Sequence, residues 1–237
     1  PRLVYTSVTG FGRRGPYAGV PGYEGLVHAK LGVFGTFQRM SPHCDPPFVN
    51  VPFAGFAASQ IALQGALTAL IERERSGRGQ WVETNLAQAF TSLDTWAWFE
   101  HFLADRYPDA FIKTTPYDEL GRPASPLTFM LLVCLTKDGR WLQFASVAAH
   151  LYAACMKALG LAWMFTDETW KGLPLFGDDA DKRLDLWTRM LEAARQRTLA
   201  EWEQVFAEDP NVFAEQFRAG PVALEHPQLL HDSMVED

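Results

Sequence analysis

The run Leu3–Thr9 constrains the fold of this chain more than any other segment. Its letters, LVYTSVT, are rich in apolar, aromatic and β-branched residues, a composition typical of a buried strand. A single strand must pair with others, and no candidate for a parallel partner precedes it. We therefore expect the sequence to begin inside a domain.

The composition predicts a folded protein with a sizeable core. The 237 residues are 48% hydrophobic and 13% aromatic, which is enough apolar material for one or two domains. The net charge of −7 provides no general attraction for nucleic acid or for an anionic membrane, so neither is expected as a partner. An anionic ligand would need a local cluster of Arg or Lys.

The cysteines and the lack of targeting segments predict a cytoplasmic protein. Cys44, Cys134 and Cys155 are widely spaced and form no CxxC pair, so we interpret them as reduced thiols. The sequence shows no signal peptide and no run of 18 apolar residues. Its histidines show no HxxxH or HExxH spacing, so no metal site is expected.

The first half of the chain has the pattern of an α/β domain. After the opening strand and a Gly/Pro-rich loop, residues 54–77 have helical periodicity, and Gly77 stands where a C-cap glycine belongs. Residues 80–86 alternate like a strand, and residues 87–103 have the pattern of one helix.

The second half predicts a smaller unit after a proline-broken linker at residues 105–128. We expect a strand over 129–135, a hairpin turn over 137–140 and a returning strand over 141–144. Helices are expected over 147–159, 184–195 and 199–207. Thr198 and Glu201 fit a capping box for the last of these helices.

The segment Gly10–Gly15 matches GxGxxG directly after a strand, which is the pattern of a dinucleotide-binding loop. However, Pro16 and Pro21 prevent the helix that such a loop must open, and no acidic residue follows about 20 positions on. We interpret the segment as a glycine loop that allows close backbone approach. Arg13 and Arg14 are either available to an anion or simply solvated.

The order of five segments resembles the class III CoA-transferase family, also called the CaiB/BaiF family. The segments are PRLVYTSVTGFGRRGPY, PGYEGLV, AGFAASQIALQGALTALIERERSGRGQWVETNL, LTKDGRWLQF and TLAEWEQVF. They occur in family order across nearly the whole chain, and the third is the most specific.

The resemblance implies an α/β fold in two parts. Residues 1–104 correspond to part of a Rossmann-like, CoA-binding large domain, residues 105–128 to a linker, and residues 129–237 to a small α/β domain with the start of a return linker. The family forms interlocked homodimers, so a homodimer is expected. The family's N-terminal CoA-binding strands and its C-terminal return into the large domain have no counterpart in this sequence.

The resemblance also implies an activity on acyl-CoA thioesters, with no metal. The family uses an aspartate that attacks the thioester, and this aspartate stands four residues before the glycine that opens the long helix. That glycine is Gly55, so the nucleophile position is Val51, which cannot attack a thioester. Neighbouring Asn50 is no nucleophile of this kind either, and Asp45 stands behind two prolines.

The racemase branch of the family uses a His–Asp pair and a Glu for proton transfer. The corresponding positions are Tyr23, Val51 and Ala148, so all three groups are replaced. Racemase activity is therefore not expected.

Two family features of the transferase branch are retained. Tyr23 and Glu24 match its active-site Tyr-Glu or Tyr-Asp pair, which makes Glu24 the candidate catalytic residue. The plainer interpretations are a packed aromatic ring for Tyr23 and a helix N-terminal charge for Glu24. Candidate residues for binding CoA or substrate are Gly10, Gly12, Arg13, Tyr23 and Asn50. Asp138 resembles the family's turn in the small domain, where its role is conformational.

Two functional hypotheses remain open. The chain is either a divergent enzyme that handles acyl-CoA without the aspartate, or a non-catalytic half that binds CoA or pairs with an active homologous domain. The replaced aspartate favours the second hypothesis, and the retained Tyr23 and Glu24 favour a ligand contact.

Overall fold

A computed structural model describes residues 1–34, 48–110, 115–218 and 220–235, without the side chains of residues 96 and 97. The chain divides into two compact units, Pro1–Thr114 and Thr115–Asp237. The boundary between them falls inside the region predicted as a linker. Cys44 and Asp45 lie outside the described residues.

The first unit is built on two parallel strands, β1 (Tyr5–Thr9) and β2 (Trp81–Asn85). Tyr5 pairs with Trp81 at one end of the ladder, and Thr9 pairs with Asn85 at the other. Both predicted strands are therefore confirmed. Because the strands are parallel, their carboxyl ends lie at the same edge, where ligand sites of α/β sheets form.

The helices α1 (Glu24–Lys30) and α2 (Phe53–Ser76) lie between these strands in sequence. The predicted helix over 54–77 is confirmed, and Gly77 ends it in a left-handed conformation with φ of 71°. The Gly77 N–H donates to the Arg73 carbonyl at 2.9 Å, which closes the last turn.

The two faces of α2 differ in side-chain size. The buried residues Ala54, Ala57, Ala58 and Ala69 are all small, which allows close packing. Large apolar side chains lie on exposed positions, with 52% to 63% of their surface accessible. They are Phe56, Leu63, Leu67 and Ile71. The first unit therefore presents an apolar helix face.

By length and composition alone, α2 is long and apolar enough to cross a membrane. Only 22% of its most apolar stretch of 18 residues is buried in the structure. The sequence still contains no unbroken run of 18 apolar residues, as expected, since Ser59, Gln60, Gln64 and Thr68 lie within α2. Polar residues interrupt the apolar run, but the first charge in α2 is Glu72, so the average hydropathy stays high.

Residues 87–103 form two helices rather than the one predicted. They are α3 (Leu86–Thr91) and α4 (Thr95–Arg106). The Ser92 hydroxyl donates to the Ala89 carbonyl at 2.7 Å, and the Leu93 N–H donates to the Phe90 carbonyl at 2.9 Å. These short-range bonds replace the continuing helical pattern, so the chain turns between the helices.

The second unit contains an antiparallel sheet in the order β3 (Val133–Leu135), β4 (Trp141–Phe144) and β5 (Ala214–Gln216). The predicted hairpin is confirmed, since Leu135 pairs with Trp141 around the turn. The strand predicted over 129–135 is wrong in its first part.

Residues Pro126–Met130 form α5 instead of a strand. The Ser125 hydroxyl accepts the Leu127 N–H at 3.3 Å, and Pro126 occupies the start of the helix. A serine cap followed by proline is a helix start, and it prevails over the β-like composition of the next residues.

Four further helices lie in the described part of the second unit. They are α6 (Ala149–Ala158), α7 (Ala180–Ala194), α8 (Leu199–Glu208) and α9 (Pro227–His231), with 3₁₀ turns at Ala162–Phe165, Glu168–Trp170 and Gly220–Glu225. The core combines sheet and helix residues, among them Phe129, Leu142, Phe144, Met190 and Trp202. The predicted capping box of Thr198 and Glu201 is confirmed at the start of α8.

Candidate functional site

The glycine loop begins at the carboxyl end of β1 and is closed at its base. A Cβ atom on Gly22 would lie 2.7 Å from the Gly10 Cα, so the two backbones touch and neither position has room for a side chain. The Gly10 carbonyl accepts the Ala87 N–H at 3.2 Å, which ties the loop to the start of α3. The Gly12 N–H donates to the Thr9 hydroxyl at 3.0 Å.

Arg13, the predicted anion contact, lies over an aromatic ring of β2. Its guanidinium carbon is 4.4 Å from the centroid of the Trp81 ring, and the Trp81 indole N–H donates to the Ser7 hydroxyl at 2.9 Å. Stacking on Trp81 holds the guanidinium in place, while Arg13 stays exposed and its charge stays accessible.

Tyr23 stands at the N-cap of α1, directly after Gly22. Its carbonyl accepts the N–H groups of Leu26 and Val27 at 3.0 and 3.1 Å. Its side chain is 71% exposed, so the ring is available for contact with a ligand or another chain.

Glu24 reaches across to the N-terminus of α2. Its Oε1 accepts the Ala54 N–H at 2.6 Å and the Gly55 N–H at 3.2 Å, and its Oε2 accepts the Gly55 N–H at 3.0 Å. The N-cap position of α2 is Pro52, which has no side-chain acceptor. A carboxylate at this end of a helix is stabilised by the partial positive charge of the N–H groups.

His28 lies behind Glu24 and is completely buried. Its Nε2 is 3.0 Å from the Glu24 Oε1, a close polar contact without hydrogen-bond geometry. The rings of Phe34, Phe53 and Phe90 lie within 6.1 Å of the imidazole, measured between ring centroids. Among the described residues, neither imidazole nitrogen has a hydrogen-bond partner.

Val51, which the sequence comparison predicts as the nucleophile position, directly precedes the N-cap of α2. Its carbonyl accepts the Phe53 N–H at 2.8 Å, and its side chain is 51% exposed. Asn50 is exposed as well. The adjacent Val49 packs against a small buried cluster that includes Val27 and Ala54, so the chain approaches α2 along α1.

The structure therefore brings together part of the predicted site. Gly10 and Tyr23 come together through Gly22, and Glu24 contacts the helix end next to Val51. Arg13 lies instead over β2, and Ala148 belongs to the second unit. Sequence reasoning missed His28, although its spacing of four residues from Glu24 places both on one face of a helix.

A cavity of about 330 Å³ lies in the same unit, next to α3 and α4. Its lining is mostly apolar, with one carboxylate and one imidazole. The lining residues are Leu31, Phe90, Thr91, Asp94, Trp98 and His101. Phe90 also contacts the His28 ring, so this side chain belongs both to the cavity lining and to the surroundings of His28.

The described part of the second unit includes a polar junction at Asp138 and the buried thiols of Cys134 and Cys155. The Thr136 hydroxyl donates to the Asp138 Oδ1 at 2.6 Å, and this bond lowers the pKa of Asp138. The same oxygen accepts the Leu199 N–H at 3.0 Å, which links the hairpin to α8. Burial raises the pKa of Cys134 and of Cys155 to about 12, so both remain thiols at neutral pH.

No group of three or more His, Cys, Asp or Glu side chains that could hold a metal ion occurs within the described part of the chain. The candidate site at the end of β1 consists of a backbone loop, an exposed tyrosine and a capped helix end, while Arg13 lies over the Trp81 ring of β2. These groups can hold a ligand by close backbone contact and by charge.

The sequence profile of CoA-transferase family III matches residues 1–237. The chain therefore belongs to CoA-transferase family III. It is 26% identical over 211 residues to alpha-methylacyl-CoA racemase from Mus musculus, covering 87% of this chain and 49% of the racemase. It is 28% identical over 167 residues to the succinyl-CoA–L-malate CoA-transferase beta subunit from Chloroflexus aurantiacus, covering 68% of this chain and 37% of that protein.

The fold also matches a solved structure of the family. A CaiB/BaiF family protein from Brucella suis aligns over 100% of this chain and 58% of its own, with a TM-score of 0.73 and 20% sequence identity. The predicted α/β fold of the CaiB/BaiF type is thereby confirmed. The chain spans about half the length of the mouse racemase that it matches.

Proposed function

We propose that this protein binds acyl-CoA thioesters at the carboxyl edge of β1 and β2. The match of the family profile over residues 1–237 carries this proposal. The mouse alpha-methylacyl-CoA racemase and the Chloroflexus aurantiacus succinyl-CoA–L-malate CoA-transferase are both named for CoA thioesters, which supports the same substrate class.

The proposed contacts are those predicted from the sequence. Tyr23 offers an exposed ring next to the glycine loop. Arg13, stacked on Trp81 at the amino end of β2, offers a positive charge for an anionic group of the ligand that extends away from the loop, such as a phosphate. Gly12 and Asn50 are proposed as further contacts. Gly10 contributes by shaping the loop, since its own backbone already packs on Gly22.

We further propose that Val51 replaces the aspartate nucleophile of the family. Two features support the assignment: the position four residues before Gly55, and its location next to the helix end held by Glu24. A valine side chain has no group that forms an acyl-enzyme intermediate. Transfer through the usual aspartyl intermediate is therefore not expected from this site.

The alternative is a catalytically inactive domain that is a structural or binding half of a tandem or hetero-oligomeric protein. The apolar outer face of α2 favours it, because large exposed apolar surfaces mark contacts with other polypeptide. A homodimer or pairing with an active homologous domain, in the cytoplasm, fits both candidates.

Calorimetric titration of the complete protein with CoA and with acetyl-CoA tests the proposal. We expect saturable binding of both, and the Arg13→Ala variant should bind more weakly because it lacks the stacked positive charge. A donor–acceptor exchange assay on the same sample then separates the two candidates. Binding with turnover supports the divergent enzyme, binding without turnover supports the inactive half, and the absence of binding would refute the proposed function.

A further inference from the structure

The N-terminus of α2 has a complete set of partners for its backbone. A helix leaves its first four N–H groups without intrahelical acceptors. In α2 the first of these positions is Pro52, which has no N–H, and the second is Phe53, whose N–H donates to the Val51 carbonyl at 2.8 Å. The other two, on Ala54 and Gly55, both donate to Glu24.

Glu24 is therefore the cap of a helix that begins 29 residues later in the chain. Such a cap is normally provided by a side chain at the N-cap itself, and proline cannot provide it. The carboxylate carries a full charge toward the positive end of a 24-residue helix, which strengthens both contacts. The starts of α1 and α3 are built differently, since α1 has no side-chain cap and α3 is capped by the Asn85 side chain.

The contacts on Glu24 leave little of the carboxylate free for proton transfer. Its Oε1 contacts three polar groups, the N–H groups of Ala54 and Gly55 and the His28 Nε2, and its Oε2 contacts one. The side chain is only 27% exposed. A general acid or base must instead direct its oxygen at the reacting group of the substrate.

We propose that Glu24 is a positioning residue, which fixes residues 51–55 by capping α2 and does not itself transfer a proton. His28 supports it from behind, since it is buried among three aromatic rings against the Glu24 Oε1. Because Glu24 holds the start of α2, it also fixes position 51 beside the thioester, and this last step rests on the proposed function.

Amide hydrogen exchange on the complete, ligand-free protein tests the capping role. Glu24→Ala should speed exchange at Ala54 and Gly55 by roughly tenfold, the effect of losing a helix cap. Glu24→Gln should change exchange far less, because one amide oxygen can accept both N–H groups as Oε1 does now. Glu83→Gln, at an exposed carboxylate of β2, is the matched control and should change neither amide.

Unchanged exchange at both amides in a folded Glu24→Ala protein would overturn the proposal. If the Glu24→Ala protein does not fold, amide exchange in the Glu24→Gln protein provides the test. A positioning role requires Ala54 and Gly55 to keep most of their protection from exchange in that variant, and loss of this protection would overturn the proposal.

A functional measurement separates positioning from proton transfer. If acyl-CoA turnover is present, Glu24→Gln should retain most of kcat with an unchanged pH profile, whereas Glu24→Ala should lose it. Loss of turnover in Glu24→Gln with amide protection intact would show that Glu24 transfers protons, and would contradict the proposal. If no acyl-CoA binds to the wild-type protein, the proposed function fails, while the exchange data still decide the role of Glu24.

Discussion

Gly22 is one of the two glycines that the close contact at the base of the loop requires. Its Cβ position is filled by the Gly10 backbone, whose Cα and N would lie 2.7 and 2.9 Å from the new atom. Backbone atoms cannot move aside as the end of a side chain can. We therefore predict that Gly22→Ala destabilises the protein by about 1–3 kcal/mol, the usual cost of overpacking, and weakens ligand binding at the adjacent Tyr23.

Thermal denaturation of the complete protein measures this effect. Gly19→Ala is the matched control, because no atom lies within 4 Å of its Cβ position. It should leave the melting temperature unchanged or raise it slightly, since alanine reduces the freedom of the unfolded chain. Equal melting temperatures for the Gly22→Ala and wild-type proteins would show that the loop opens easily.

Individual residues were predicted unevenly from the sequence. The candidate roles of Tyr23, Glu24 and Val51 came from the family resemblance and stay predictions. The contact of Glu24 with Ala54 and Gly55 did not, because a pairing across 30 residues leaves no periodic pattern in a single sequence. The stacking of Arg13 on Trp81 was missed for the same reason.

At the level of elements, Asp138 connects the hairpin of the second unit to α8. Its Oδ1 accepts the Thr136 hydroxyl and the Leu199 N–H, and the first of these bonds is the main reason why its pKa is lowered. A carboxylate whose pKa is lower in the folded state stabilises that state above its unfolded pKa, and the stabilisation is lost as the pH falls through the folded value.

We therefore predict that Asp138→Asn lowers the melting temperature at pH 7 and that its difference from wild type shrinks once the pH falls below the ordinary aspartate value of 3.8. Melting curves of both proteins from pH 7 to pH 3 provide the test, with Asp178→Asn, at an exposed site, as control. A difference that stays constant over this range would mean that the carboxylate charge makes no contribution.

Two helix ends marked by a capping residue or a C-cap glycine were predicted correctly, whereas some elements without such a residue were missed. Gly77 ended α2 as expected, and the capping box of Thr198 and Glu201 started α8. The break between α3 and α4 depends on hydrogen bonds of Ser92 and Leu93 that an aromatic, helix-like sequence does not reveal. The strand β5 has three residues, too few for an alternating pattern, and forms only because β4 offers an edge.

For the whole molecule, the order of segments predicted the class of fold. The α/β fold of the CaiB/BaiF type was expected, and the alignment with the Brucella suis protein confirms it. The sequence did not predict which face of α2 is covered. Small and large apolar residues both recur along this helix, and their spacing does not show which of them face the rest of the unit. In the described structure the small residues are covered and the large apolar ones are exposed.

The central claim is that position 51 is the nucleophile position of a CoA-transferase family III site that lacks its nucleophile. The most direct test is to incubate the complete Val51→Asp protein with acetyl-CoA and then with hydroxylamine. Attack of the introduced carboxylate on the thioester carbonyl would release CoA and form a mixed aspartyl–acetyl anhydride. Hydroxylamine then attacks its aspartyl carbonyl, which gives a protein hydroxamate and releases acetate, or its acetyl carbonyl, which gives acetohydroxamate and restores the aspartate. Val51→Asn, similar in size but without a nucleophilic oxygen, is the control.

We predict a hydroxamate at position 51 in the Val51→Asp protein, found by mass spectrometry, and none in the wild-type or Val51→Asn proteins. An adduct on another residue of the wild-type protein would contradict the account, because catalysis would then use a different nucleophile. So would the absence of both hydroxamates with a Val51→Asp protein that still binds acetyl-CoA, because position 51 would then lie away from the thioester.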